Sequence, residues 1–313
     1  MEFEVLLLAV NYRNPEEGCR YVEQVQALER SDTIATALVA NDVSAAEANT
    51  LAAIQEQRNV FIYASKENRG YFGGAQWGLE QFSESHPVPD WVIVSNTDIL
   101  FPDRALLRKL LALYTGHAPM VVAPDVVLDS DTLLLTSRKH QNPQYWIRPS
   151  ARKMHLLKWL HRYHWIGAVF SVLSALRYTL GAFVGGRGDR DTDVPLLPAQ
   201  LYAPFGAFMI FHRSYFERGG TFHHGAFLFG EEIFVAETVC ELGGEVIYDP
   251  RLRVLHHGST SMRHVASRQR ARYARDALAY CTERFFSGPP RRNPMPDGAP
   301  ANPPKPSQSR TSP

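Results

Sequence analysis

Continuous apolar segments that alternate with amphipathic segments constrain the fold of this chain more than any other sequence feature. The first 125 residues contain apolar segments at 3–11, 33–41, 59–65, 90–96 and 119–124. Helical patterns separate them, and one of these begins with a Ser-x-x-Glu capping box at Ser44 and Glu47. Strands that are apolar throughout are buried on both faces, as in parallel sheets covered by helices. The sequence therefore predicts an α/β fold with a mostly parallel sheet between two helical layers.

The second half of the chain continues with strands and helices and ends in a segment of different composition. Further strands are predicted at 206–211, 244–249 and 252–256, a helix near 231–242, and a basic amphipathic helix over 263–285. Nine of the 21 prolines follow residue 287, and almost nothing there could be buried. We therefore predict one domain over 1–286 and a disordered Pro-rich tail over 287–313.

The segment 150–186 interrupts the alternating pattern. It begins with a basic and aromatic stretch and continues with about twenty mainly apolar residues that Arg177 interrupts. The central Arg argues against a membrane-spanning helix. Two interpretations remain equally open: a helix in a membrane interface, favoured by the Lys, Arg, His and Trp residues, or a helical pair packed on the domain.

Charge and cysteine content exclude several classes of protein. The 33 Lys and Arg residues balance 32 Asp and Glu residues, so there is no global electrostatic case for nucleic acid binding. Cys19, Cys240 and Cys281 are scattered and lack metal-ligand spacing, which indicates neither a disulfide framework nor a zinc finger. The N-terminal segment has two acids where a secretion signal carries positive charge. These features predict a cytoplasmic protein.

Polar side chains follow the predicted strands where ligands bind in α/β sheets. Asn11, Asn41-Asp42, Asn68 and Asn96-Thr97-Asp98 all occupy carboxyl ends of these strands. The turn that begins at Asn68 is rich in glycine, although it lacks the standard phosphate-loop spacings. Asp98 could hold Mg²⁺ or Mn²⁺ against a diphosphate, because hard cations prefer carboxylate and phosphate oxygens. A solvated Asp that caps the next helix is an equally good interpretation of this residue alone.

Two further motifs carry titratable groups. Glu231 and Glu232 open a helix after the aromatic run 227–229, and either could act as a general base or simply stabilise the helix dipole. Both acids flank the apolar stripe of that helix equally, so helical geometry does not choose between them. His256 closes a strand, and no ligand spacing supports a zinc site with His223 and His224.

The order of these motifs is more specific than any one of them. Asn-Tyr at 11–12, the strand end near 41, Asn-x-Gly-x-x-x-Gly from Asn68 and Asn-x-Asp at 96–98 occur in succession. Phe-x-x-Gly-Gly at 216–220, Phe-Leu-Phe-Gly-Glu-Glu at 227–232 and Tyr-Asp-Pro-x-x-x-Val-x-His at 248–256 follow. From Val5 to Ser261 the chain resembles the family 2 glycosyltransferases of the GT-A fold, of the rhamnosyltransferase-like, polysaccharide biosynthesis type.

The resemblance implies a GT-A fold and a role for each matching residue. A Rossmann-like nucleotide-binding half over 1–125 would merge with a smaller acceptor half over 200–262, with the last helix over 263–286. The implied metal ligands, for Mg²⁺ or Mn²⁺, are Asp98 and His256. Glu232 matches the catalytic base, with Glu231 as the alternative. The implied nucleotide-binding residues are Asn11, Tyr12, Asn41, Asp42, Asn68, Gly70, Gly74, Asn96 and Arg275, and either Asn41 or Asp42 would read the base.

The resemblance also implies a reaction and partners. The chain would transfer a hexose from a nucleoside diphosphate sugar, UDP or dTDP, to a glycan or lipid-linked acceptor with inversion, in surface polysaccharide or lipopolysaccharide assembly. Segment 150–186 would contact the inner face of the cytoplasmic membrane. A non-catalytic module on the same scaffold is the main alternative, because Asn96, Phe234 and Glu237 depart from the family pattern. A nucleotidyltransferase is disfavoured, because no Gly-rich loop with a following Lys or Arg succeeds the first strand.

Overall fold

The computed structural model describes residues 2–129, 140–143, 145–161, 194–258 and 267–288. The strands in these ranges are β1 (Val5–Tyr12), β2 (Ile34–Asn41), β3 (Val60–Ala64), β4 (Trp91–Asn96), β5 (Ile99–Leu100), β6 (Val121–Leu128), β7 (Ala199–Leu201), β8 (Phe208–His212) and β9 (Val246–His256). The helices are α1 (Pro15–Gln26), α2 (Ala45–Gln55), α3 (Tyr71–Ser83), α4 (Leu106–Leu113), α5 (Ala151–His161), α6 (Ser214–Glu217), α7 (Glu231–Glu241) and α8 (Ser267–Phe285).

Within the described residues all nine strands belong to one mixed sheet. Its order is β3-β2-β1-β4-β8-β6-β9-β5, and β7 pairs with β9. Strands β3, β2, β1 and β4 run parallel, β6 and β9 form a second parallel pair, and β8 lies antiparallel between the two groups. The chain order reverses at β1, which pairs with both β2 and β4, and this is where open α/β sheets bind ligands.

Helices cover both faces of this sheet, as the alternation of side chains along β1 shows. Leu6 and Leu8 pack on the face that also buries Phe72 and Phe82 of α3. Val5, Leu7 and Ala9 point to the opposite face, where they join apolar side chains of α1, α2 and α4. Both sides of the strand are buried, which is why its sequence is apolar throughout. The predicted mostly parallel α/β fold is confirmed.

Several element boundaries differ from the sequence-based predictions. Helix α1 ends at Gln26, and a short 3₁₀ turn follows at Ser31–Thr33. The two strands predicted at 244–249 and 252–256 form the single strand β9. The pairing with β6 passes from Pro124 and Asp249 directly to Asp125 and Arg253, so residues 250–252 of β9 form a bulge without a partner in β6. Strands β5 and β7 were not predicted, because they contain only two and three residues.

A buried ion pair ties helix α7 to the chain that leads into α5. Arg148 donates to both carboxylate oxygens of Glu237, at 2.7 and 2.9 Å, and the Glu237 side chain is fully buried. The Tyr202 hydroxyl donates to the same carboxylate at 2.7 Å. Arg148 also donates to the Phe285 carbonyl and lies over the Phe286 ring. The orientation of α7 is therefore fixed by three other parts of the chain.

Only part of segment 150–186 lies within the described residues, namely helix α5. Its Lys158 pairs with Glu283 of α8 at 2.6 Å, so the two helices are in contact. Among the described helices, none combines the length and apolar character that crossing a membrane requires. The predictions for 162–186, for the start of the last helix at 263–266 and for the tail from residue 289 lie outside the described residues.

Candidate functional site

A cavity of about 300 Å³ lies at the carboxyl ends of β1, β2 and β4. Helix α7 and the loop before it close the cavity on one side, and the beginning of α8 also borders it. Nine of the thirteen residues that the sequence analysis assigned to the site line the cavity: Tyr12, Asn41, Asn68, Gly70, Asn96, Asp98, Glu231, Glu232 and His256. Asn11, Asp42, Gly74 and Arg275 do not line it. Residues more than 200 positions apart thus meet at one place.

The glycine-rich turn is held in shape by hydrogen bonds to its own backbone. Asn41 Nδ2 donates to the Gly70 carbonyl at 2.9 Å, and the Gly70 amide donates to Asn68 Oδ1 at 3.0 Å. Gly70 has φ +71° and ψ −167°, a combination that is open to glycine almost alone. A β-carbon at this position would lie 2.0 Å from the Phe227 carbonyl oxygen. The turn therefore packs directly against the loop that precedes α7.

Replacing Gly70 by Ala is expected to lower the free energy of unfolding by about 1–3 kcal/mol from backbone strain, and to displace Phe227 through the clash. The matched control is Gly73→Ala on α3, where the nearest atom to the new β-carbon is Arg69 Cβ at 3.7 Å. We expect Gly73→Ala to be neutral or stabilising, because Ala has the higher helix propensity. Urea unfolding of both variants measures this difference. Equal stabilities would contradict the geometry of the turn.

Asn11 supports the cavity from behind and does not line it. Its side chain is 2% exposed and donates to Thr97 Oγ1 at 3.1 Å, and Thr97 in turn donates to Glu17 Oε1 at 2.6 Å. Asn11 Nδ2 also donates to the Asn14 carbonyl at the start of α1. These bonds hold Thr97, the residue between Asn96 and Asp98. Asn11 therefore positions the end of β4 from the opposite face of the sheet.

The remaining three predicted nucleotide contacts lie beside the cavity. Asp42 adopts a left-handed conformation with φ +56° and forms an ion pair with Arg13. Gly74 is buried beneath the floor, and a β-carbon there would lie 3.0 Å from both Asn41 Nδ2 and Val10 Cγ1. Arg275 pairs with its neighbour Asp276 at 2.8 Å. Of the two residues proposed to read the base, Asn41 is the one that lines the cavity.

Asp98 and His256 form a pair at the floor of the cavity. His256 Nε2 lies 3.3 Å from Asp98 Oδ2, and both side chains are less than a tenth exposed. The other ring nitrogen of His256, Nδ1, is 2.6 Å from Gln141 Oε1, an acceptor that selects the tautomer with the proton on Nδ1. In that tautomer Nε2 presents a lone pair. His256 Nε2 and Asp98 Oδ1 are both buried without a hydrogen-bond partner.

This donor set fits a hard divalent cation. One carboxylate and one imidazole, each with an orphaned buried atom, suit Mg²⁺ or Mn²⁺ when phosphate oxygens complete the coordination. In the described part of the chain, no group of three His, Cys, Asp or Glu side chains could hold an ion. A metal here would therefore require ligands from a bound diphosphate or water.

Glu231 and Glu232 occupy the first turn of α7, and their environments differ. Glu231 is 5% exposed, and its Oε1 accepts the Phe229 amide at 3.0 Å. Burial, and next the neighbouring Glu232 charge, raise the Glu231 pKa well above the usual range. Burial also raises the Glu232 pKa, while the backbone amide of Gly206 opposes that rise. Glu232 is partly exposed to the cavity. Two adjacent buried carboxylates resist being charged together, so the pair is expected to share a proton.

Aromatic side chains form much of the cavity wall, and the sequence analysis singled out only Tyr12 and the run 227–229 among them. Phe227 packs on Tyr273 of α8 with ring centroids 4.7 Å apart. The Tyr71 hydroxyl donates to the Gly206 carbonyl at 2.9 Å, and burial raises the Tyr71 pKa. The wall residues that the sequence analysis did not identify are Val10, Tyr71, Phe205, Gly206, Ala207, Gln269 and Tyr273. Gln269 and Tyr273 stand four residues apart on one face of α8, a spacing that could have drawn attention to them.

No protein-family model and no curated protein sequence matches the chain. Solved structures do. GalNAc-T7 with UDP, GalNAc and Mn²⁺ superposes with a TM-score of 0.54 at 11% identity, over 83% of this chain and 45% of that protein. S. aureus TarS, residues 1–349 with UDP-GlcNAc, gives a TM-score of 0.52 at 8% identity, over 85% of this chain and 62% of that one.

Both neighbours are glycosyltransferases of the GT-A type. At such low identity the likeness shows the fold, and the chain has a GT-A fold, as the sequence predicted. The chain spans between about half and two thirds of the length of these two structures.

Proposed function

We propose that residues 1–286 form a single-domain inverting glycosyltransferase that moves a sugar from a nucleoside diphosphate donor to an acceptor hydroxyl. One observation carries this proposal: the Glu231–Glu232 pair and the Asp98–His256 pair line the same cavity at the switch point of a GT-A fold. The first pair can move a proton, and the second suits a cation beside a diphosphate. Displacement at a sugar phosphate needs both functions.

Each part of the cavity has a role in this proposal. Asn41, Asn68, Gly70 and the Tyr12 ring would contact the nucleotide. Asp98 and His256 would hold Mg²⁺ or Mn²⁺, which would neutralise the charge that develops on the leaving diphosphate. The presence of Mn²⁺ with UDP in the GalNAc-T7 structure supports this choice of cofactor.

The proposed chemistry is a single displacement. The acceptor oxygen forms a bond to the anomeric carbon while the bond from that carbon to the diphosphate oxygen breaks. Glu232 takes the proton of the acceptor hydroxyl, and the Gly206 amide holds its carboxylate in place. Attack opposite the leaving group inverts the anomeric centre. Glu231 is the poorer candidate for the base, because it is 5% exposed and its Oε1 already accepts the Phe229 amide, whereas Glu232 is partly exposed to the cavity.

The finer parts of the proposal are supported by the motif order and by the ligands of the neighbours. A UDP or dTDP donor is proposed because the two structural neighbours contain UDP or UDP-GlcNAc. The sequence resemblance supports the remaining details. These are membership of family 2, rhamnosyltransferase-like hexosyl transfer, a glycan or lipid-linked acceptor, and surface polysaccharide assembly at the inner face of the cytoplasmic membrane.

Thermal unfolding with a panel of nucleotides tests the proposal. UDP, dTDP, GDP and CDP would each be added with and without Mn²⁺, and NAD would serve as the unrelated dinucleotide. We expect one diphosphate to stabilise the protein in the presence of Mn²⁺, by about 2.7 kcal/mol at a hundredfold excess over Kd. No stabilisation by any of the four diphosphates would contradict a donor site and favour a binding module on this scaffold.

A further inference from the structure

Helix α5 and the residues just before it carry three of the exposed large apolar side chains in the described part of the chain. Within the described residues the large hydrophobic side chains with high exposure are Ile147, Leu156, Trp159, Leu196 and Leu197, at 54 to 89%. Leu156 and Trp159 lie on α5, Ile147 lies just before it, and Leu196 and Leu197 precede β7. Soluble surfaces usually scatter such residues singly, whereas a concentration of them indicates a contact surface. The cavity described above lies elsewhere and uses none of them.

Helix α5 has distinct inner and outer faces. Met154, Lys158 and His161, spaced i, i+4 and i+7, form the inner face: Met154 is 2% exposed, and Lys158 pairs with α8. Arg152, Leu156 and Trp159 have the same spacing and lie about 160° away around the helix. Leu156 and Trp159 are 54% and 56% exposed. The outer face thus combines apolar and basic side chains.

The charge around this face has one sign. From Thr132 to Gly188 the sequence contains no Asp or Glu, although the whole chain has 32 of them in 313 residues. Helix α5 itself carries Arg152, Lys153 and Lys158 and no acid. Within the described ranges, neither Arg152 nor Lys153 has an ion-pair partner. A surface of this composition complements an anionic partner.

We propose that the outer face of α5 docks on an anionic lipid bilayer. A helix that presents Leu and Trp next to Arg and Lys suits the headgroup region, where the apolar side chains enter the acyl boundary and the cations meet lipid phosphates. Trp together with Lys and Arg on one helix face is the combination typical of helices in a membrane interface, which favours a bilayer over an anionic protein. This inference deepens the proposed membrane location, and because the docking surface is separate from the nucleotide cavity it stands or falls independently of the proposed donor site.

Sedimentation of the full chain with vesicles tests this surface. We expect binding to phosphatidylcholine vesicles that contain phosphatidylglycerol, and little binding to phosphatidylcholine alone. R152Q/K153Q should lower the partition coefficient about thirtyfold at low salt, and L156Q should lower it about tenfold or more. The matched control R108Q/R213Q removes the same charge from exposed, ion-paired arginines outside this surface and should change binding only slightly.

Fluorescence locates the contact. The chain has five Trp residues, and brominated lipids should quench part of their emission in the wild type and clearly less in W159F. Three outcomes would each overturn the proposal. They are equal binding to both vesicle types, unchanged vesicle binding of R152Q/K153Q and L156Q, and a protein that binds no vesicles but forms a dimer that L156Q dissociates. Nucleotide stabilisation measured on the same variants should be unaffected, which keeps a failure of the docking surface distinct from a failure of the donor site.

Discussion

Replacing Glu232 by Gln is expected to lower kcat for sugar transfer by about 10²–10⁴-fold, because general-base assistance is typically worth that much. The substitution keeps the shape of the side chain and removes its ability to take the acceptor proton. Donor affinity should change little, since the carboxylate acts on the acceptor side. Initial rates at saturating donor, together with nucleotide-induced thermal shifts, separate the two effects.

Glu231→Gln is the matched control for this experiment. Burial already favours the protonated form of Glu231, and Gln is close in shape and in hydrogen-bonding capacity to that form. We therefore expect a smaller loss of kcat than in Glu232→Gln. An inactive Glu231→Gln beside a nearly unaffected Glu232→Gln would reverse the assignment of the base.

Asp98→Asn is expected to remove the metal-dependent part of nucleotide affinity. Loss of a residue that only orients a metal-coordinating side chain lowers metal affinity about 10–100-fold. Loss of a carboxylate that coordinates the metal directly should therefore lower metal affinity about 100-fold or more. The measurement is the Mn²⁺ dependence of binding of the diphosphate that the panel identifies. Asp90→Asn is the control, because Asp90 is exposed and pairs with Arg213 away from the cavity.

Melting of Asp98→Asn without nucleotide shows whether the variant is folded. A folded variant that keeps the full Mn²⁺ effect would exclude Asp98 as the metal ligand. An Mn²⁺ effect lost in Asp98→Asn and kept in Asp90→Asn would support the assignment. His256→Gln should behave like Asp98→Asn, because its Nε2 is the second orphaned atom of the pair.

The general location of the site followed from sequence, because parallel strands place their carboxyl ends at one edge of a sheet. Asn41, Asn96 and Asp98 needed only this rule. The sequence did not specify which of two adjacent residues faces the cavity. Side chains alternate along β1, so Val10 and Tyr12 line the cavity while Asn11 points to the side of α1.

The wall on the opposite side of the cavity depends on contacts between distant parts of the chain. Gln269 and Tyr273 belong to helix α8, whose sequence shows only a basic and amphipathic pattern. Nothing in that local sequence indicates which part of the protein the inner face of the helix contacts. Asp42 lies outside the cavity because the chain enters a left-handed turn directly after β2. Such outcomes depend on tertiary packing, which a single sequence does not encode locally.

The buried pair of Arg148 and Glu237 also bears on how this chain can vary among its relatives. Loss of one partner leaves an uncompensated buried charge and costs about 3–5 kcal/mol, whereas exchange of both for apolar residues of similar volume is often tolerated. The two positions are therefore expected to change together during evolution. Glu237 stands where the resemblance leads one to expect a different residue, so Arg148, 89 positions earlier, is the compensating half of that departure.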